Sequence, residues 1–348
     1  MTSLTSTALL NEIRELIDAT KFRVAINVNS ALVQLYWMIG NRIRLETLKN
    51  EKPEYGKQLV ATISEQLQIE YGKGFSQRNI FNMLRFAQTF PEDEILQTLS
   101  AKLSWSHLIE IIYVEDSLKR DFYAQMCRLE HWSVRTLRNK MQGMLFERTA
   151  ISKKPKELAK QELESLKNED RLTPDLVLRD PYLLDFLRLD GEFKEKDLEG
   201  AVLRELEKFI LEFGTDFSFL ARQKRITIGN EDFYLDLLFF HRSLRKVIAI
   251  ELKLGKFQAA DKGQMELYLK WLNKYERREG ESEPIGIILC AEKNHEQVEL
   301  LELGQSSIHV AEYLTQLPSK EALETKLHQA IEIAQDRFDK SITYKLAN

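Results

Sequence analysis

The chain has 348 residues, 43% of them hydrophobic and 30% charged, with 14 glycines and 7 prolines, which excludes a largely disordered or low-complexity protein and leaves room for two domains. Fifty basic residues against 54 acidic ones give a formal charge of −4, which excludes the uniformly basic surface of a nucleic-acid coat protein, so any polyanion must be bound locally. Residues 1–150 carry 19 basic against 17 acidic side chains and the remainder 31 against 37, so the N-terminal part is the more basic.

The first elements are helical. From Leu4 to about Arg44 apolar residues recur at helical spacing, with Leu9, Ile13, Leu16 and Ile17 followed by Val24, Val28, Leu32, Leu35 and Ile39, and two amphipathic helices fit. Acids interrupt the apolar pattern of the N-terminus, and no apolar run approaches the roughly 20 residues that cross a bilayer. Neither a signal peptide nor a membrane span is expected, and the cytoplasm is the default address. After Lys52-Pro53, helical patterns return at about 57–69, 76–90, 92–99, 105–113, 116–128 and 133–147, so residues 1–150 read as an all-α domain. Cys127 and Cys290 belong to no CxxC or Cys/His cluster, which argues for thiols and against a zinc or redox site.

Residues 151–190 read as a charged linker and a lead-in arm. Lys153 to Asp170 has few large apolar residues, as a solvated connecting helix or linker would, and TPDLVLRDPYLLDFL is expected to pack on the domain after it. From there the pattern changes class. A helix over 197–213 precedes three β-rich runs at about 217–228, 232–240 and 246–254, the first two joined by a tight turn at Gly229-Asn230. A helix over 258–276 leads to the strand Ile285–Cys290, Ile308–Tyr313 adds another, and a last helix from Ser319 carries Leu323, Leu327, Ala330, Ile331 and Phe338 on one stripe. Residues 191–348 thus read as an αβββαβ core with a parallel crossover and a mixed sheet, and the whole chain as an α+β multidomain protein.

Asp236 stands among apolar neighbours in FYLDLLFFH, where an unpaired carboxylate costs several kcal/mol, so it needs a partner. Fifteen positions on, VIAIELKLG places Glu251 and Lys253 two apart, on one face of the next strand. Two carboxylates and the Leu252 backbone carbonyl form the hard oxygen shell that suits Mg²⁺, with Mn²⁺ as a substitute. Such an ion activates water and phosphate, while Lys253 stabilises developing charge or orients the nucleophile.

These residues resemble the PD-(D/E)XK nuclease signature, whose restriction-endonuclease-like core has the same αβββαβ order. The proline of the signature is absent, since Leu235 precedes Asp236. In related nucleases a glutamate of the first core helix joins the metal site, and Glu199, on the stripe of Val202, Leu203 and Leu206, is the matching position. Gln264 and Tyr268 look like the QxxxY element of some members, which implies that Gln264 supports the site and Tyr268 contacts substrate. A closer resemblance, to the YhcG-type family, spans nearly the whole chain and rests on YGKGFSQRNIFNMLRFAQTFP, LSWSHLIEII, FYAQMCRLEHWSVRTLRNKM, RDPYLLDFL, ARQKRITIGNEDFYLDLLFFHRSLRKVIAIELKLGKF and GQMELYLKWL. It implies an N-terminal winged-helix or helix-turn-helix domain joined to a nuclease domain.

For nucleic-acid contacts, a helix capped by Ser76 offers Gln77, Arg78, Asn79, Asn82 and Arg85, and a helix after Ser133 offers Arg135, Arg138 and Arg148. Arg222, Arg225, His241 and neighbouring basic residues suggest a phosphate track beside the strands. Ordinary solvated faces are the alternative for each. The expected activity is Mg²⁺-dependent cleavage of DNA in repair, mobile-element control or defence, with RNA a lesser candidate and a homodimer a simple way to make two cuts. A non-cleaving DNA-binding or scaffold protein on the same fold stands as the competing reading.

Overall fold

The computed structural model describes residues 28–48, 53–91, 102–187, 189, 194–214, 216–303, 306–316 and 318–347, and the chain divides into two compact units, Met1–Met141 and Gln142–Asn348. Among the described residues the first unit is helical throughout, with α1 over 28–47, α2 (Pro53–Tyr71), α3 (Gln77–Thr89), α4 (Trp105–Ile111), α5 (Ser117–Leu129) and α6 (Val134–Gln142). The helices expected before residue 28 and over 92–99 lie outside the described residues. Ser76 caps α3 by accepting the Asn79 N–H, and Asp116 caps α5 by accepting that of Lys119 at 2.8 Å. Tyr36, Ile43, Val60, Ile80 and Met83 form a buried cluster with Trp105 against it.

In the second unit, α7 (Leu145–Arg148) is not a continuation of α6 as the 133–147 pattern suggested, because Met144 takes a left-handed φ of 52° between them. The stretch expected to be a solvated connecting helix or linker is the helix α8 (Lys156–Glu169), which is not wholly solvated, since it buries Ala159, Leu163 and Leu166 at helical spacing. After the turn α9 (Pro174–Val177), Tyr182–Leu183 form β1, and the buried Asp180 is ion-paired with Lys153 and Lys293 and accepts the Glu312 N–H. The described residues from 142 to 187 therefore pack within the second unit.

The helix expected over 197–213 breaks at Glu205 into α10 (Glu195–Arg204) and α11 (Leu206–Phe213). Then come β2 (Phe217–Ile228), β3 (Glu231–His241), β4 (Lys246–Lys256), α12 (Ala259–Tyr275), β5 (Ser282–Glu292), α13 (His295–Leu300), β6 (Ile308–Leu314) and α14 (Lys320–Ala347). The six strands lie in the order β1-β6-β5-β4-β3-β2, antiparallel across β2, β3 and β4 and parallel elsewhere, which is the mixed sheet expected. In α14, Leu323 and Leu327 are buried against Met144, whereas Phe338 lies outside the described side chains.

One sheet face packs Leu237, Phe239, Ile250, Leu252 and Leu289 against Leu198, Val202, Phe209 and Phe213 of α10 and α11. The other packs Leu238, Ala249, Ile288 and Cys290 against Met265, Tyr268 and Leu269 of α12. A Cβ at Gly286 would lie 2.5 Å from the Met265 side chain, so any larger residue would force Met265 to shift where α12 packs closely on the sheet.

Candidate active site

The β3–β4 ladder ends at Leu237 paired with Ile250, although β3 stays paired with β2 as far as Glu231 and β4 with β5 as far as Lys256. Asp236 and Glu251 occupy the next positions in register, and their side chains replace the missing ladder bonds. Asp236 Oδ2 accepts the Leu252 N–H at 2.9 Å and Glu251 Oε1 accepts the Asp236 N–H at 3.4 Å. The sheet splits where two carboxylates meet, and an open cleft of about 760 Å³ forms there, lined by Lys194, Lys196, Glu199, Arg222, Gln223 and Asp236 among others.

Glu251 is only 4% exposed. Burial, reinforced by the charge of Asp236, pushes its carboxyl up to about 8 against the opposing influence of Lys253 and the Asp236 N–H. Burial also raises Asp236, helped by the charge of Glu199 and opposed by the Leu252 and Gln223 donors. Lys253 Nζ stands 3.5 Å from Glu251 Oε2 and 3.9 Å from Asp261 Oδ1. Tyr268 is raised first by burial, and the charges of Glu251, Lys253 and Asp236 all reach it; its hydroxyl accepts the Gln264 amide at 2.5 Å.

Glu199 Oε1 is buried without a hydrogen bond and has only a long 3.9 Å ion-pair contact with Arg222. Gln223, which the motif pattern does not single out, donates Nε2–H to Asp236 Oδ1 at 3.0 Å and holds a left-handed φ of 45° within β2. The tight turn could have located it. Gly229 at φ 63° sets Ile228 opposite Glu231, and counting back along the hairpin brings residue 223 opposite 236.

Residues 175–328 match the YhcG PDDEXK nuclease domain and residues 12–148 the DUF1016 N-terminal domain. Over 343 residues the chain is 33% identical to the Escherichia coli (strain K12) protein YhcG, named as a candidate nuclease, with 90% of this chain and 91% of that one covered. The chain belongs to the YhcG PDDEXK nuclease family. Among solved structures it is similar to a repair endonuclease from Pyrococcus abyssi, at 20% identity and a TM-score of 0.26, over 35% of this chain and 49% of that one. It is also similar to EndoMS in its apo form, at 16% identity and a TM-score of 0.25, over 37% and 48% of the two chains.

A divalent cation, the cofactor usual for PD-(D/E)XK nucleases, fits the oxygen donors of this family member. Two carboxylates crowd together with their proton affinities raised, and the neighbouring Glu199 oxygen has no hydrogen-bond donor. Among the described residues no group of three or more His, Cys, Asp or Glu is placed to hold an ion. Cys127 and Cys290 are buried thiols pushed up to about 12 by burial, which makes them poor nucleophiles at neutral pH.

The expected substrate contacts separate into two groups. Arg222 lines the cleft, and Arg78 and Arg135 are exposed. Arg225 instead pairs with Asp232 at 2.7 Å and Arg138 with Glu110 at 2.6 Å. Asn82 is 4% exposed and accepts the Tyr113 hydroxyl at 2.7 Å, so it cannot lie on a groove-reading face. Asn79 accepts the Trp105 indole N–H and donates to the Gly74 carbonyl, which ties it to its own unit. Arg148 is 2% exposed and ion-paired with Glu212, and His241 is buried and held down to about 4 by desolvation, so neither belongs to a phosphate track.

Among the described residues no helix is long and apolar enough to cross a membrane.

Proposed function

We propose that this chain is a Mg²⁺-dependent DNA endonuclease, with Mn²⁺ as a substitute ion, acting in repair, mobile-element control or defence. The observation that carries this reading is the split of β3 from β4 at Asp236 and Glu251, where an open cleft lined by Asp236 and Glu199 lies beside the buried Glu251 and its neighbour Lys253. Asp236, Glu251 and the Leu252 carbonyl would hold the ion, which when bound polarises the phosphodiester and lowers the pKa of water.

The remaining work falls to the chain. The Gln223 amide and the Leu252 N–H orient Asp236, because each donates to a different oxygen of its carboxylate. Lys253 brings a positive charge next to Glu251, where it offsets the negative charge that builds on the phosphate oxygens. Lys194, Lys196 and Arg222 offer cations at the cleft wall for the flanking phosphates. Gln264 donates to the Tyr268 hydroxyl on α12, which lies within reach of the charges of Glu251, Lys253 and Asp236, and Glu199 stands as a further acid on the cleft wall.

Plasmid, linear and branched DNA, and RNA of matching sequence, are incubated with Mg²⁺ or with a chelator. DNA cleavage is expected only with the ion, and Asp236→Ala and Lys253→Ala each lower it on the order of 10²- to 10³-fold. Full activity in both variants, or in chelator, refutes the assignment. Preferential RNA cleavage keeps the chemistry and replaces the substrate.

A further inference from the structure

Helix α3 turns outward a stripe that the hydrolytic site does not use. Arg78, Phe81, Arg85 and Gln88 succeed one another at three- and four-residue spacings, so they share one face. Phe81 is 37% exposed, and Tyr113 beside this helix is 52% exposed. The Arg85 guanidinium lies over the Tyr113 ring, 4.4 Å from its centroid. Phe81, Leu84, Arg85, Gln88, Thr89 and Tyr113 line an open groove of about 420 Å³, no described carboxylate lines it, and Arg78 lies one helical turn before it.

The stacking groups are fixed in place. Tyr113 donates its hydroxyl to the buried Asn82, and Arg85 donates Nε–H to the Ile112 carbonyl at 3.0 Å. The ring and the guanidinium plane therefore lose little conformational freedom when a flat partner stacks on them. Bases inside a duplex have both faces covered by their neighbours, whereas unpaired bases present an open π-face to aromatic and guanidinium groups. Arg78, one turn before Phe81, supplies the charge for an adjoining phosphate. A groove that combines two aromatic rings with one guanidinium, has no carboxylate in its described lining and has Arg78 one turn away is complementary to a polyanion bearing flat bases.

We infer that this groove binds single-stranded nucleic acid, with bases stacking on Phe81 and on the Arg85–Tyr113 pair and Arg78 meeting the backbone. The inference rests on the nuclease reading only for the class of polymer, since binding here requires no cutting. It assigns to the N-terminal unit a preference for substrates that contain unpaired bases.

The test uses the full chain carrying Asp236→Ala, in chelator, titrated against a labelled oligothymidylate of about 20 nucleotides and a duplex of equal length, read by fluorescence anisotropy. Phe81→Ala, at an exposed position, is expected to keep the thermal melt and to weaken single-strand binding about five- to tenfold. Arg78→Ala should lower the salt slope of that binding by about one, and neither variant should change duplex affinity more than about twofold. Parent-like single-strand binding in both variants overturns the inference, as does an equal loss of duplex binding, which marks a general basic patch. Absence of oligonucleotide binding by the parent also overturns it and leaves the groove to a protein partner. A wild-type chain that cleaves nothing but binds single strands through Phe81 defeats the nuclease reading alone; a nuclease whose binding ignores Phe81 defeats this inference alone.

Discussion

Replacing Glu251 by glutamine is expected to stabilise the metal-free fold while abolishing cleavage. The buried carboxyl is pushed to about 8 from an ordinary 4.5. Between those values the folded state retains a proton that the unfolded state has released, so stability is present below pH 4.5 and is lost as pH rises through about 8. Every tenfold gain in proton affinity on folding corresponds to about 1.4 kcal/mol, which places the accumulated cost above pH 8 at roughly 3 to 5 kcal/mol. Glutamine is neutral at every pH, has nearly the same volume, and can still accept the Asp236 N–H. Urea unfolding of Glu251→Gln and the parent in chelator should therefore give close midpoints at pH 5 and a clear advantage for the variant at pH 9. Added Mg²⁺ at pH 9 should raise the parent's midpoint and leave that of the variant nearly unchanged. Indistinguishable midpoints at both pH values would refute the claim that the carboxylate held at this split in the sheet is desolvated beyond what Lys253 and the Asp236 N–H offset.

Three further outcomes are expected. His309 is held neutral down to about 4, chiefly by desolvation, and its Nε2 meets the Arg179 carbonyl, so stability should fall as pH drops from 6.5 toward 4, by up to about 3 kcal/mol. His309→Gln should flatten that slope in acid urea titrations, and an unchanged slope rejects the assignment. Gln223→Gly relieves a left-handed backbone while deleting the donor to Asp236, so the melting temperature should hold while half-saturation for Mg²⁺ in cleavage rises about 10- to 100-fold. Unaltered metal dependence would show that the amide does not position the carboxylate. Gly286→Ala drives a methyl group into Met265 and should cost about 1 to 3 kcal/mol in calorimetry, with Met265→Ala in the double variant recovering part of the loss; a purely additive pair would contradict the packing argument.

What could be read from the amino-acid order was whatever local periodicity and short hairpins enforce. The β-rich apolar runs around Asp236 and Glu251, and the Gly229-Asn230 turn, set strands and register within a few residues, and this is why the two carboxylates could be placed together. The same counting reaches Gln223. The tertiary structure decided which polar side chains turn inward, because those choices depend on partners remote in sequence. Asn82 is polar on an amphipathic helix, yet the Tyr113 hydroxyl 31 residues away takes it into the interior. Arg148 resembles a phosphate ligand until Glu212, 64 residues later, neutralises it inside the second unit. The charged stretch after Lys153 becomes a packed helix because its three small or leucine positions find a surface to bury against. A period of 3.6 or 2 residues is written in the chain itself, whereas desolvation and its compensation are settled only when distant segments meet.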